Sequence, residues 1–418
     1  MNSFFSLFAQ SGIGRAFRHR TFATYIIAHA GSVIGLWVQR IAIQWLVWTL
    51  TGSYAWLGAI ALAESLTSMI FSLGCGPLAD RFDRVRMAYV TQGLLMLVAL
   101  GLAIVTYLDL ATIPVIGIFV IATGMIEGIW APVRLSIMPN MVPRKDMPAA
   151  VAITSMMFTA AIFIGPAIGG IIIAAVDVEG AFFANALSYI GLLIVFSRIK
   201  MQRQAVRSGE QKSFITDLKS GFSYVVRHNA LRSIVIFGTV FSFLIRPFRE
   251  FFAGIADEVF NRGADGLAML ASASGFGALL GAVSISVYGR NEGMSKILQI
   301  VAAATAVMLL IFATTGSFIV SMIMAAGLSA CVTVFGTGAQ MLIQMNVADS
   351  MRGRVMSVWQ SQFRGVPAIG AWCIGLIELS FELKYVLVGS AILFFVFVLS
   401  TMSWGKDFKL LETTEPKE

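Results

Sequence analysis

Residues Gly76 to Arg86 read GPLADRFDRVR, a short charged segment set between two long apolar runs. Asp80 and Asp83 alternate with Arg81, Arg84 and Arg86 within it. Ionised side chains are costly inside hydrocarbon, so such a cluster between apolar runs predicts a tight turn pinned at a membrane surface. One helix leaves the bilayer there and the next one enters.

Composition points the same way. The chain has 418 residues, of which 58% are hydrophobic and only 12% charged, with a mean hydropathy of +0.83. These values lie outside the range of soluble globular domains and describe an integral membrane protein. A span needs about 20 apolar residues to cross ~30 Å of hydrocarbon as a helix. On that scale the sequence predicts about twelve spans, centred near residues 35, 67, 97, 122, 163, 189, 243, 278, 305, 330, 366 and 394. Continuous apolar runs such as Leu94–Val105 and Ile297–Ala313 lack the alternation of a lipid-facing strand, so the expected fold is all-α rather than a barrel.

The loops divide by charge. Arg15, Arg18 and Arg20, the Arg81–Arg86 cluster, Arg144 with Lys145, the segment from Arg198 to Arg232, Arg290 with Lys296, Arg352 with Arg354 and the tail lysines all fall on one side. The opposite side carries Asp109, Asp177 and Glu179, with Arg262 and Lys384 as its basic residues. The positive-inside rule then places both termini in the cytoplasm of a bacterial inner membrane. Anionic lipid at that surface accounts for the net charge of +8, so no nucleic-acid partner is required. MNSFFSLFAQSG, at the start, has no basic n-region and so is not read as a cleavable signal, and residues 4–18 are expected to lie in the membrane plane.

Other chemistries are excluded by what the sequence lacks. Cys75, Cys331 and Cys373 sit in apolar surroundings without a CxxC pair, and His19, His29 and His228 are scattered, so neither a metal site nor a cofactor is expected. There is no GxxxxGK[ST] loop for an ATP-driven pump and no nucleophile and base at the spacing of a hydrolase, so the chain is not expected to be an enzyme.

The expected organisation is a six-helix half over 1–197, a cytoplasmic linker over 198–230, a second six-helix half over 231–405 and a cytoplasmic tail over 406–418. Phe214, Leu218, Phe222 and Val225 recur at helical spacing and predict an amphipathic helix within the linker. The tetrapeptide PAIG occurs at Pro166–Gly169 and again at Pro367–Gly370, in the fifth and eleventh predicted spans. Repetition at matching positions is the mark of a duplicated transporter.

GPLADRFDRVR resembles the loop between the second and third helices of the major facilitator superfamily, with Gly76, Leu78, Ala79, Asp80, Arg81, Arg84 and Arg86 filling its pattern. GPAIGG, Gly165 to Gly170, resembles the fifth-helix motif of antiporter members, although Met157 and Ala161 stand where a further small glycine is usual. The wider pattern is similar to the branch of macrolide-type drug exporters and enterobactin-type siderophore exporters. The resemblance implies a monomeric, proton-coupled exporter of an amphipathic small molecule. An uptake carrier or lipid flippase is the alternative, and a receptor a more distant one. It also implies gating roles for Gly76, Asp80, Arg81, Arg84, Gly165, Pro166, Gly169 and Gly170, with Asp80 facing the start of the eleventh helix and steadied by its exposed amides.

Charges within the spans are functional candidates because each costs roughly 2.5 to 3.5 kcal/mol to insert. They are His29, Arg40, Glu64, Glu127, Arg246, Arg249, Glu250 and Arg364. Counting depth at about 1.5 Å per residue matches His29 with Glu127 and Arg40 with Glu64. Glu127, Glu64 and His29 are therefore candidates for proton coupling. Arg40, Arg246, Arg249, Glu250 and Arg364 are candidates for the substrate pathway, and several arginines there would favour an anionic or catecholate-like molecule. Pro247 is expected to weaken the seventh helix beside Arg246. Trp37, Trp45, Trp130 and Trp359 offer stacking surfaces for the substrate, although most of them are expected to face lipid or the interface.

Overall fold

The computed structural model describes residues 12–74, 83–199, 214–288 and 293–401, and these are almost entirely helical. Gly76, Asp80, Arg81 and Cys75, most of the predicted linker and the tail beyond 401 lie outside the described residues. In chain order the longer helices are α1 (Gly12–Arg18), α2 (Arg20–Thr51), α3 (Tyr54–Gly74), α4 (Arg84–Tyr107), α5 (Ile113–Ile137) and α6 (Met147–Arg198). They continue with α7 (Phe214–Arg227), α8 (Asn229–Leu244), α9 (Gly263–Tyr288), α10 (Met294–Thr314), α11 (Phe318–Asn346), α12 (Asp349–Glu378) and α13 (Leu383–Ser400). Ten stretches among the described residues are long and apolar enough to cross a bilayer.

Two features explain how the expected spans map onto these helices. The stretch Met147–Arg198 reverses at Val176–Asp177, where Asp177 adopts φ 64° and its carboxylate accepts the Val178 N–H at 2.7 Å. Non-glycine residues seldom take positive φ, and the local hydrogen bond is what lets an aspartate do so. The Asp349–Glu378 helix is the other feature, because its charges place it outside the ten apolar stretches.

The chain divides into two compact units, and the division is not a single cut. One is drawn from Met1–Leu46 and Leu66–Gln211, the other from Val47–Ser65 and Lys212–Glu418. The end of α2 and the first half of α3 thus pack with the second unit, although sequence order assigns them to the first half.

In the first unit, α1 is tied down by a buried carboxylate. Asp146, whose side chain is 2% exposed, accepts from Arg15 Nε at 3.1 Å and from His19 Nε2 at 3.0 Å. Phe22, Tyr25, Trp130, Ile137, Ile153 and Phe196 form the apolar cluster alongside. Arg84, one of the expected gating residues, donates from Nη1 to the Ser136 carbonyl at 3.3 Å, so it binds the C-terminal end of α5.

The second unit is held by small residues and by phenylalanine. Gly277 and Gly281 on α9 face the backbone of Ala326 and Ala330 on α11, and a Cβ at Gly281 would stand 2.5 Å from the Ala330 oxygen. Small residues four apart let two helices approach until dispersion contacts replace the missing hydrophobic drive. Ser274 and Ser329 share a hydrogen bond of 2.6 Å across the same interface. Phe335 stacks on Phe237 and Phe241 in the interior, and Phe394 meets both of the latter edge-on. The amphipathic helix expected in the linker is present as α7, with Val225 buried and Phe222 60% exposed.

Replacing Asp146 by Ala leaves the donors of Arg15 and His19 without their buried acceptor. The expected result is a lower thermal midpoint in detergent-purified protein, with Asp146→Asn falling less because it keeps an acceptor oxygen.

Candidate functional site

The titratable groups of the first unit gather around aromatic rings. His29 is 2% exposed; its ring stacks on Tyr25 at 5.3 Å and meets Trp130 edge-on at 6.0 Å. Phe196 closes the box against both Tyr25 and Trp130. His29 Nδ1 lies 3.4 Å from the Ser32 hydroxyl, and its Nε2 is buried without a hydrogen-bond partner. Arg134, one helical turn beyond Trp130, is within electrostatic reach of the imidazole.

Depth counted along the sequence matches His29 with Glu127, and here the structure differs. The imidazole makes no hydrogen bond to Glu127; Trp130, three residues further along α5, occupies the neighbouring position. An error of one turn in either span is enough to shift such a match, because each residue moves the level by about 1.5 Å. Glu127 is half-buried and acts electrostatically on the Tyr189 phenol, as does Arg40. Arg40 also lies over the Trp37 ring at 4.9 Å from its centroid, a cation–π arrangement. Beneath them, Asn185 Nδ2 donates to Gln39 Oε1 at 2.7 Å, a buried pair joining α2 to α6. Glu64 is half-buried and belongs to the second unit.

The glycine and proline motif packs as its composition suggests. A Cβ at Gly165 would strike Trp37 and stand 3.2 Å from the Ile34 oxygen, and one at Gly169 would touch Val38 Cα at 3.5 Å. Pro166 and Gly170 are buried with them. α6 therefore lies backbone to backbone on α2, one turn from Arg40. In the second unit the repeated motif does the same against the seventh span: a Cβ at Gly370 would strike the Phe243 oxygen and stand 3.0 Å from Pro247 Cγ.

The seventh span is broken, as Pro247 predicts. α8 ends at Leu244; a 3-10 run, Arg246–Phe251, is followed by one α turn and a π segment, Ile255–Val259. A 3-10 run of six residues is long for that geometry and marks a strained or hinged region. Arg246 donates from Nη1 to the Phe363 carbonyl on α12, and its guanidinium lies 3.9 Å from the Phe363 ring centroid. Arg249 and Glu250 are half-buried and within electrostatic reach of Arg246, whereas Arg364 is on an exposed face of α12.

The π segment re-aims two acids that sequence reasoning passed over. Trp48 Nε1 donates to Asp257 Oδ2 at 2.9 Å, and the Tyr54 hydroxyl donates to Glu258 Oε2 at 2.9 Å. The Trp48 and Tyr54 rings sit 4.8 Å apart over Gly254, where a Cβ would overlap both. Gly375 lets α12 close onto the start of α3, since a Cβ there would be 2.6 Å from the Tyr54 oxygen. The signal available in the sequence was the adjacent acidic pair at the end of an apolar run. Trp130 and Trp359, expected at the lipid face, are 3% and 1% exposed and belong to the interior, because their rings fill spaces left by His29 and by Gly238. No group of three or more His, Cys, Asp or Glu suited to a metal occurs among the described residues.

Residues 13–413 match the sequence profile described as transmembrane secretion effector, MFS_3. A protein of Bacillus amyloliquefaciens named for bacilysin export, BacE, is 24% identical over 342 residues, covering 80% of this chain and 83% of that one. The staphyloferrin A transporter of Staphylococcus aureus is 27% identical over 205 residues, 49% and 51% of the two chains. The enterobactin exporter EntS of Salmonella choleraesuis is 22% identical over 368 residues, 85% of each. Among solved structures, a bacterial homologue of the lysosomal transporter Spinster superposes with a TM-score of 0.75 at 14% identity, over 96% of this chain and 99% of that one. The nucleoside transporter NupG gives 0.68 at 12% identity, over 94% and 100%.

Replacing Gly165 by Val should separate α6 from α2 and lower stability by about 1–3 kcal/mol, measured as thermal midpoint in detergent. Gly31→Ala is the control: nothing lies within 4 Å of its Cβ position, so no loss is expected.

Proposed function

Because the chain belongs to the transmembrane secretion effector family of major facilitator transporters, we propose that it is a proton-coupled exporter of an amphipathic small molecule, working by alternating access. The match over residues 13–413 carries this reading, since it spans nearly the whole chain and the relatives include exporters of siderophores. A transporter of this family is a multi-pass membrane protein and not an enzyme. The proposed site is the bacterial inner membrane, with both termini cytoplasmic, as the loop charges favour.

The described helices support twelve spans on this reading. The reversal at Asp177 divides one of the ten apolar stretches into two, and α12, whose charges set it apart from those stretches, adds the last. The relatives named as exporters support an amphipathic small molecule as substrate, and the arginines among the spans favour an anionic one.

Proton coupling is assigned to the first unit. His29 has a ring nitrogen buried without a partner, and Glu127 is half-buried and acts, as does Arg40, on the Tyr189 phenol. A carboxylate is driven toward its neutral form by desolvation and toward its charged form by a nearby cation. A conformational change that alters water access or the distance to Arg40 therefore changes whether Glu127 holds a proton. His29, whose Nε2 is buried without a partner, is the second candidate, and it takes a proton only where a conformational change opens its site to water.

The test is export measured in inverted membrane vesicles under an imposed pH gradient, acid inside, using siderophores and peptide antibiotics as candidate cargo. Uptake into the vesicles that depends on the gradient is expected, with Glu127→Gln reducing it about tenfold or more. Full proton-driven activity in Glu127→Gln would remove the coupling role, and movement only in the opposite direction would make the protein an uptake carrier.

A further inference from the structure

We propose that Arg246 replaces the backbone donor that Pro367 removes, and is thereby a positioning residue joining the broken seventh span to the eleventh rather than a group that grips the transported molecule. In an α-helix the carbonyl of residue 363 accepts from the N–H of residue 367. Residue 367 is proline, which has no N–H, yet α12 continues from Asp349 through to Glu378. The Phe363 carbonyl is therefore left without its helical donor midway along a helix read as spanning the membrane, where nothing in surrounding lipid can satisfy it.

Arg246 Nη1 donates to that carbonyl. The same guanidinium lies over the Phe363 ring at 3.9 Å, so one residue of α12 offers it both an acceptor and a π face. Phe363 in turn stacks on the buried Trp359 at 5.6 Å and abuts Gly336 of α11, which fixes its ring. Arginine suits this place because its planar fork can donate at an edge while its face stays apolar and lightly hydrated.

The opposite side of the contact has a matching break. Pro247 follows Arg246 and cannot donate to the Phe243 carbonyl, and that carbonyl points at Gly370 of α12, where a Cβ would collide with it. Two prolines thus interrupt two facing helices at one level, each leaving a carbonyl that is covered by the other helix. A charge brought into the bilayer interior is accounted for by this contact without any ligand.

A double-mutant cycle in the full-length protein separates the two roles. Arg246→Gln, Pro367→Ala and the double variant are purified in detergent for thermal midpoints and reconstituted for transport. Alanine at 367 restores an N–H for the Phe363 carbonyl, so the arginine becomes dispensable. Arg246→Gln alone should lower the midpoint by several degrees and cut transport about tenfold, and the double variant should match Pro367→Ala alone in both measurements, a strongly non-additive result. Where Arg246→Gln is too unstable to purify, recovery of monodisperse protein in the double variant is the supporting result.

Additive losses, a double variant that stays unfolded, or an Arg246→Gln protein that behaves as the native one would each overturn the assignment. A raised substrate KM in Arg246→Gln that Pro367→Ala fails to relieve would return the residue to the substrate pathway. The transport arm rests on the export reading, whereas the midpoint arm does not. If native protein moved no cargo, the export reading would fall and the thermal cycle would still decide the role of Arg246.

Discussion

Hydrocarbon supplies no hydrogen bonds, and this single constraint orders the molecule. Every carbonyl and N–H between the bilayer surfaces must find its partner within the chain, which is why the described residues are helical almost throughout. The departures are therefore the informative places. Asp177 reverses the chain without a loop by accepting the next residue's N–H, Ser274 and Ser329 satisfy each other across two helices, and Asn185 donates an amide proton to Gln39. Arg246, at the break in the seventh span, meets the carbonyl that a proline on α12 leaves without a donor.

A second regularity is that each unit uses the same device at the same ordinal place. In the first, Gly165 and Gly169 bring α6 onto the backbone of α2 beside Trp37 and Arg40; in the second, Gly370 brings α12 onto Phe243 and Pro247 beside Arg246. In both, a glycine removes the side chain that would separate two backbones, and an arginine with an aromatic ring lies next to the contact. Close packing of this kind is tight enough to be bistable rather than gradually deformable, a property suited to elements that switch between two arrangements. The second unit adds a pair of carboxylates, Asp257 and Glu258, that a π segment turns toward Trp48 and Tyr54. A π segment inserts an extra residue per turn and so redirects side chains that an α-helix would aim elsewhere.

Much of the fold was legible from local rules. Length and apolar content place the helices, Pro247 foretells the break at Arg246, and the repeat of PAIG foretells the paired glycine contacts. The chemistry of the site was legible only as an inventory. His29, Arg40, Glu127 and Arg246 stood out because charge is expensive in lipid, whereas their neighbours did not. His29 meets Trp130 and Ser32 instead of Glu127, and Trp359 is interior instead of interfacial.

The sequence by itself determined that this chain is a bundle of membrane helices with intramembrane charge, because hydropathy and proline act over one turn or one span and need no partner to be read. Only the tertiary structure decided which side chain faces which. Residues 47–65 join the second unit because packing, and not chain order, sets the boundary. Antiparallel helices can slide or rotate by a turn at little change in apolar burial, and it is the glycine contacts and orphaned carbonyls, brought together from residues more than a hundred positions apart such as Arg246 and Phe363, that select one register.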